Sequence, residues 1–301
     1  MGVSTEPKRA DLPLPGGRTD ATVRLHPLLA GEMRSPPGLF ERPEGRLWKL
    51  RGLGIGRSRE DWIWIPIPAF LVEHPSAGPI LVDTGFHPSV AIDARENFGG
   101  VAGRLNEFRM KPEQGLQDQL RARGVEPDDV SVVIMTHLHW DHASGVSEFP
   151  QPTFIVDRRE WDAAIQPRGY MRGYRTQQFD YGFHWRFVDY SSRRIDSFAG
   201  FGATIDLFGD GSVRLLATPG HTLGHQSVLL RLRDREALLT GDAAYMRRTI
   251  DETLTPLLLH DEHKYFRSLK EIQRYVSRTP NAVVIPGHDP DVWPTLAPVY
   301  E

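Results

Sequence analysis

The stretch Ser131-Val132-Val133-Ile134-Met135-Thr136-His137-Leu138-His139-Trp140-Asp141-His142 joins an apolar run to four metal-ligand side chains packed into its last six positions. A short run rich in β-branched residues reads as a buried strand, so the histidines emerge on the loop at its end. With 12 histidines in 301 residues, a chance H-x-H-x-D-H arises in roughly one such chain in a thousand, which disfavours a merely solvated polar loop. Four ligands this close converge only if the backbone turns, letting His137 and His139 face one ion while Asp141 and His142 face another. Two adjacent ions on nitrogen and oxygen donors can hold a hydroxide between them and polarise a carbonyl, which makes hydrolysis the default chemistry.

Three more candidate ligands follow apolar runs in the same way: His221 after Val213–Ala217, Asp242 after Ala237–Thr240 and His288 after Ala282–Pro286. Each has glycine beside it, in Pro219-Gly220-His221, Gly241-Asp242 and Gly287-His288, where backbone must turn tightly. Singly, each reads more simply as a capping or turn residue; as a set they read as ligands.

Further short β-rich runs occur at Ala21–Leu29, Trp62–Val72, Pro79–Val82, Thr153–Val156 and Gln226–Leu232. Between them, Lys264–Arg278 places Phe266, Leu269, Ile272, Tyr275 and Val276 on one helical face, and Glu113–Arg123 and Arg158–Ile165 are further helix candidates. Strands alternating with helices predict a layered α/β architecture. Residues 1–20 mix proline, glycine and charge without periodicity, so a mobile arm, or one ordered only against a partner subunit, is expected there with no share in the core. Residues 21–301 read as a single metallo-hydrolase domain with an aromatic-rich insertion at about 166–212. In it Tyr181, Phe183, Trp185 and Phe187 alternate with other residues, as in a strand with one buried face. Satellite core and pocket wall are equally good readings of that segment. Trp62–Val72 reads as a core strand with an edge, because Pro66 and Pro68 interrupt it.

Composition narrows the partners. With 36 basic and 39 acidic residues and a net charge of −3, no bulk positive field is available to grip nucleic acid. The longest apolar stretch, Trp62–Val72, has about half the length of a membrane span. The absence of cysteine removes disulfides and thiolate ligands, and no basic and apolar leader is visible, so a cytoplasmic protein is expected.

Val82-Asp83-Thr84-Gly85, the His137–His142 run, Thr218-Pro219-Gly220-His221-Thr222, Gly241-Asp242 and Gly287-His288 together resemble the metallo-β-lactamase superfamily, in its order, over about residues 60–290. The resemblance implies an αββα sandwich with metals at one edge of the two sheets. It implies His137, His139 and His221 for a first ion, Asp141, His142 and His288 for a second, and Asp242 bridging them. Asp83 would lie behind the ligands and fix a histidine tautomer. Asp242-Ala243-Ala244-Tyr245, Gly220–Ser227, Glu126-Pro127-Asp128-Asp129 and Gly287-His288-Asp289 are similar to the N-acyl-homoserine lactonase branch. That branch implies a lactone substrate with an apolar acyl chain, a tyrosine (Tyr245) reaching the reacting group, attack by a metal-bridging hydroxide, and Asp141 passing the proton to the leaving oxygen. It also implies two divalent ions, zinc first with iron, cobalt or manganese as alternatives, and a homodimer. The chain departs from the branch in Ala143-Ser144-Gly145, in its longer N-terminal arm and in the long span between His142 and His221. His225 reads as a supporting residue. The rivals are another hydrolase on the same scaffold, acting on a thioester, β-lactam, phosphodiester or other ester, and more remotely a redox or non-catalytic metal-binding module.

Overall fold

A computed structural model describes residues 5–99, 106–192 and 195–301. The strands are β1 (Lys8–Arg9), β2 (Arg24–Ser35), β3 (Ile63–His74), β4 (Gly78–Val82), β5 (Glu107–Arg109), β6 (Val132–Ile134), β7 (Thr153–Asp157), β8 (His184–Val188), β9 (Asp196–Phe198), β10 (Phe201–Asp206), β11 (Val213–Ala217), β12 (Gln226–Arg231), β13 (Glu236–Gly241) and β14 (Val283–Pro286). The helices are α1 (Trp48–Gly52), α2 (Val90–Phe98), α3 (Leu116–Arg121), α4 (Trp140–Ala143), α5 (Arg158–Ala164), α6 (Arg247–Glu252) and α7 (Glu262–Arg278).

Side chains alternate across each strand, and among the described residues this places three of the four cores as follows. From β6, Val132 and Ile134 point between the sheets, meeting Val213 and Leu215 of β11. Val133 points the other way, with Phe154 and Val156 of β7, onto Leu116 and Leu120 of α3 and Trp161 of α5. On the far side, Leu216, Leu229 and Leu238 pack on Tyr265, Leu269, Ile272 and Tyr275 of α7. The result is an αββα sandwich of an eight-stranded sheet, β1-β8-β7-β6-β4-β3-β2-β5, and a six-stranded sheet, β14-β13-β12-β11-β10-β9. Helix α7 begins two residues before the periodic stretch because Asp261 caps it, accepting from Lys264 N at 3.0 Å. The helix expected over Glu113–Arg123 is instead a short turn, Pro112–Gln114, followed by α3.

Strand β3 pairs with β2 from end to end but with β4 only from Phe70 onward. Its proline-bearing half therefore has one open side, where a missing N–H costs no ladder bond.

The first residues differ from expectation. Lys8–Arg9 pair in parallel with Arg186–Phe187 of β8, Ala10 is buried, and Leu14 N donates to Leu207 O at 2.8 Å. Leu12 and Leu14 join the core between the sheets. The segment thus straps the edge of one sheet to the other, and the scarcity of apolar residues hid this because backbone pairing needs no side-chain pattern. Residues 1–4 lie outside the described residues. The alternation read over Tyr181–Phe187 holds only in part: β8 starts at His184, and of the four aromatics only Trp185 is fully buried. No helix among the described residues is long and apolar enough to cross a membrane.

Candidate metal centre

The C-terminal ends of β4 and β6, parallel neighbours, deliver Asp83 and the His137–His142 loop to one edge of the sandwich. β11, β13 and β14 run the same way in the second sheet and deliver His221, Asp242 and His288 to it. Two groups of donors result. One ligand atom from each of His137, His139, His221 and Asp242 lies within 4.8 Å of the others, and so do those of Asp141, His142 and His288.

Asp242 faces both groups. Its Oδ2 lies 3.2 Å from His221 Nε2 and 3.7 Å from His137 Nε2, while its Oδ1 lies 3.1 Å from His288 Nε2 and 3.3 Å from His142 Nε2. Asp141 Oδ2 stands 3.5 Å from His288 Nε2 with its side chain 12% exposed at the wall. His137 Nε2 is buried with no hydrogen-bond partner, and Asp242 Oδ1 makes no well-directed bond despite these approaches. Buried polar atoms are rarely left so. A shared focus of nitrogen and carboxylate donors around such atoms fits a pair of divalent ions.

Each of the five histidines is held from behind. His142 Nδ1 bonds Asp83 at 2.8 Å. His137 Nδ1 lies 3.0 Å from Thr136 Oγ1, which donates in turn to Asp83 at 2.7 Å. His288 Nδ1 donates to the Pro66 carbonyl, on the open side of β3, at 2.9 Å. His139, whose Nδ1 faces His221, bonds the backbone carbonyl of Arg172 from the other side of its ring. His221 Nδ1 lies 3.0 Å from the Tyr245 hydroxyl. Such partners set the tautomer and leave the opposite nitrogen free to coordinate. Asp83 sits at φ +57°, a left-handed conformation at the end of β4.

Burial pushes His137 and His221 well below the usual histidine range, and His139 down as well. Burial would depress His142 and His288 too, but Asp242, with Asp83 and Asp141 for His142 and with Asp141 for His288, holds both above it. Burial of Asp242 is outweighed by His288, His142, His221 and His137, which keep its carboxyl far below the normal range. His225 stays outside the cluster. Its Nε2 accepts from Asp242 N at 2.9 Å, and burial takes it down to about 3, so it serves as a neutral prop. The close fit explains Gly241, at φ +51°, where a Cβ would sit 2.8 Å from His225 Nε2.

Above the cluster opens a cleft of about 630 Å³. Asp141, Asp242 and Tyr245 form part of its floor, and Leu39, Phe40, Trp48, Leu53, Ile65, Leu257 and Leu258 line its apolar walls. Of the aromatic segment, Tyr174 reaches the cleft with Met171, Arg172 and Gly173, whereas Phe179 and Trp185 pack into the core beside Trp161. Ser144 accepts from His87 N at 2.9 Å and donates to Asn97 Oδ1 at 2.7 Å, tying the ligand loop to α2. The sequence reading missed the carbonyls of Pro66 and Arg172, which have no sequence signal. It also missed Glu160 and Tyr174, whose signal was only a polar atom on an otherwise apolar face. His26, His74 and His87 lie elsewhere, against Glu73, Asp210 and Glu148.

The sequence model of the metallo-beta-lactamase superfamily matches residues 62–288. The N-acyl homoserine lactonase AttM of Azorhizobium caulinodans is 37% identical over 241 residues, covering 78% of this chain and 87% of that protein. The N-acyl homoserine lactonase AiiA of Bacillus thuringiensis subsp. kurstaki is 30% identical over 228 residues, covering 75% and 82%. A crystal structure of a B. thuringiensis AiiA variant with N-decanoyl-L-homoserine bound at its active site superposes with a TM-score of 0.73 at 25% identity, over 93% of this chain and all of that one.

Proposed function

We propose a function from one premise: the chain belongs to the metallo-β-lactamase superfamily. It hydrolyses the ring ester of N-acyl-homoserine lactones, as its relatives' names describe for them. The observation that carries this reading is the convergence of two donor groups on the single carboxylate of Asp242, at the floor of an apolar-walled cleft. His137, His139 and His221 would hold one ion, Asp141, His142 and His288 the other, and Asp242 both. When bound, two divalent ions supply a nucleophilic water at neutral pH and stabilise charge on the carbonyl oxygen.

The chain's own residues do the rest. Tyr245 is buried, and that burial together with Asp242 and Asp141 holds its hydroxyl well above the usual tyrosine range, so it remains a proton donor. Its oxygen accepts from His221 Nδ1 while its proton points to the Asp242 carboxylate, and a bound lactone's carbonyl or ring oxygen would take that proton's hydrogen bond over. Asp141, partly exposed at the wall, would pass the proton of the added water to the ring oxygen as the acyl carbon–oxygen bond breaks. The product is an N-acyl-homoserine carboxylate with one proton released. Leu39, Trp48, Leu53 and Leu257 offer the acyl chain apolar contact. Zinc suits this nitrogen-rich donor set, and we assign zinc, a homodimer and a cytoplasmic site of action as parts of the same reading.

A pH-indicator assay on N-acyl-homoserine lactones, simple γ-lactones, a β-lactam and a glutathione thioester tests the reading, and silence on every lactone from metal-loaded protein overturns it. In the same assay Tyr245→Phe is expected to lower kcat about 100-fold with little change in KM. A raised KM at unchanged kcat would restrict Tyr245 to substrate binding.

The raised His142 and His288 imply a further result. Metal-free protein keeps protons on His142 and His288 to higher pH than an ordinary histidine does, and an incoming ion must displace them, whereas His137, His139 and His221 give theirs up at lower pH. Calorimetric zinc titrations in two buffers of different ionisation enthalpy should differ mainly in the heat of one of the two ions. Equal heats for both ions in the two buffers would contradict the assignment.

A further inference from the structure

Glu160 lies on α5, fully buried. Its two carboxylate oxygens take separate partners: Oε1 accepts from Leu138 N at 3.0 Å and Oε2 from Gly224 N at 3.1 Å. Leu138 stands between His137 and His139, and Gly224 is three residues beyond His221. The two turns leave different sheets, one after β6 and the other after β11. A single side chain therefore fastens together, across the sandwich, the two turns that carry all three histidines of the first donor group.

The packing around this tie is tight. A Cβ on Gly224 would lie 2.2 Å from Glu160 N, so only glycine admits the approach. The Tyr174 hydroxyl also bonds Glu160, and the Tyr174 ring packs on His139 with centroids 5.0 Å apart. Trp140 N donates to Gly173 O in the same turn. Burial pushes the Glu160 carboxyl up to about 7, against the pull of the Thr222 hydroxyl, the Leu138 and Gly224 amides and the Tyr174 hydroxyl. The neighbouring Trp161, Ala163 and Ala164 of α5 are buried and apolar. If α5 needed only to pack, an aliphatic residue at 160 would avoid the cost of burying a carboxyl.

We propose that Glu160 is a positioning residue for the first metal site, fixing the separation of His137 and His139 from His221 and so setting how tightly that site holds its ion. It touches neither the ion nor the substrate. The inference rests on reading the cluster as a two-metal centre.

The test uses the full chain loaded with cobalt, following the visible absorption of the bound ions and their loss to a competing chelator. Wild type should lose its two ions in two phases. Glu160→Gln keeps the size but turns one acceptor into a donor, and it should weaken one ion about 10- to 100-fold while the other stays near wild type. The spectral change should belong to the nitrogen-rich site, and metal should raise Tm less than in wild type. Wild-type affinity for both ions in Glu160→Gln, or equal weakening of both, overturns the inference. If Glu160→Gln yields no folded protein, Tyr174→Phe decides on the same readings: a smaller loss at the same site supports the inference and unchanged binding overturns it. Wild type that binds no cobalt or zinc at all overturns the two-metal reading itself, whereas two ions in wild type and an unaltered Glu160→Gln overturn the role of Glu160 alone.

Discussion

Asp242→Asn is expected to lower kcat/KM on a lactone by about a thousandfold or more and to yield protein that purifies with fewer than two ions per chain. Both oxygens of Asp242 are engaged, one toward His221 and His137 and the other toward His288 and His142. An amide keeps the shape but removes the negative charge and offers only one oxygen, so each donor group loses part of its binding. Loss of one bridging anion amounts to about 4 kcal/mol of transition-state stabilisation, or roughly three powers of ten. The backbone contact of Asp242 N with His225 is untouched, so the loss should not reflect unfolding. Metal analysis beside steady-state kinetics checks it, and a variant with two ions and activity within tenfold of wild type would remove Asp242 from the shared position.

Chelation should lower Tm by on the order of 10 °C. An ion present at a thousand times its Kd adds about 4 kcal/mol to the folded state, and in a large domain each kilocalorie moves Tm by about 2 °C or more. The effect is large because the edge of the sandwich closes over five histidines and two aspartates, where His137 Nε2 and Asp242 Oδ1 are buried without a well-directed protein partner. The chelated protein should also show an opposed pH response. His142 and His288 are raised, so their stabilising contribution is full below the unfolded histidine value and is lost as pH rises through their folded values. His137, His139 and His221 are lowered, so stability falls as pH drops below the unfolded value, where the unfolded chain gains protons that the folded one refuses. Differential scanning fluorimetry from pH 5 to 9, with and without chelator, separates the two. A chelated Tm equal to the loaded one would exclude structural coupling between metal and fold.

The features legible in the sequence were those written in side-chain pattern. The apolar runs Ser131–Met135, Val213–Ala217 and Ala282–Pro286 announced buried strands, and a candidate ligand follows each within a few residues, so the strands' shared edge was implied once the ligands were taken together. Other features were silent for physical reasons. Lys8–Arg9 form a strand through backbone alone. The pairing of β3 with two neighbours over one half and one over the other depends on where β4 starts, which no local pattern encodes. Glu160 showed only as a polar atom on an otherwise apolar face, because the Leu138 and Gly224 amides it binds are far away in sequence.

The supports behind the five histidines are of unequal kinds. Asp83, Thr136 and Tyr245 act through side chains, but Pro66 and Arg172 act through carbonyl oxygens that every amino acid possesses. An alanine scan would register the first three and pass over the other two, although all five do the same job. Natural drift has the same freedom: positions 66 and 172 can change identity while the hydrogen bonds to His288 and His139 persist, provided the backbone path is kept. Part of what holds this centre is therefore inherited as chain geometry and leaves no trace in the letters at those positions.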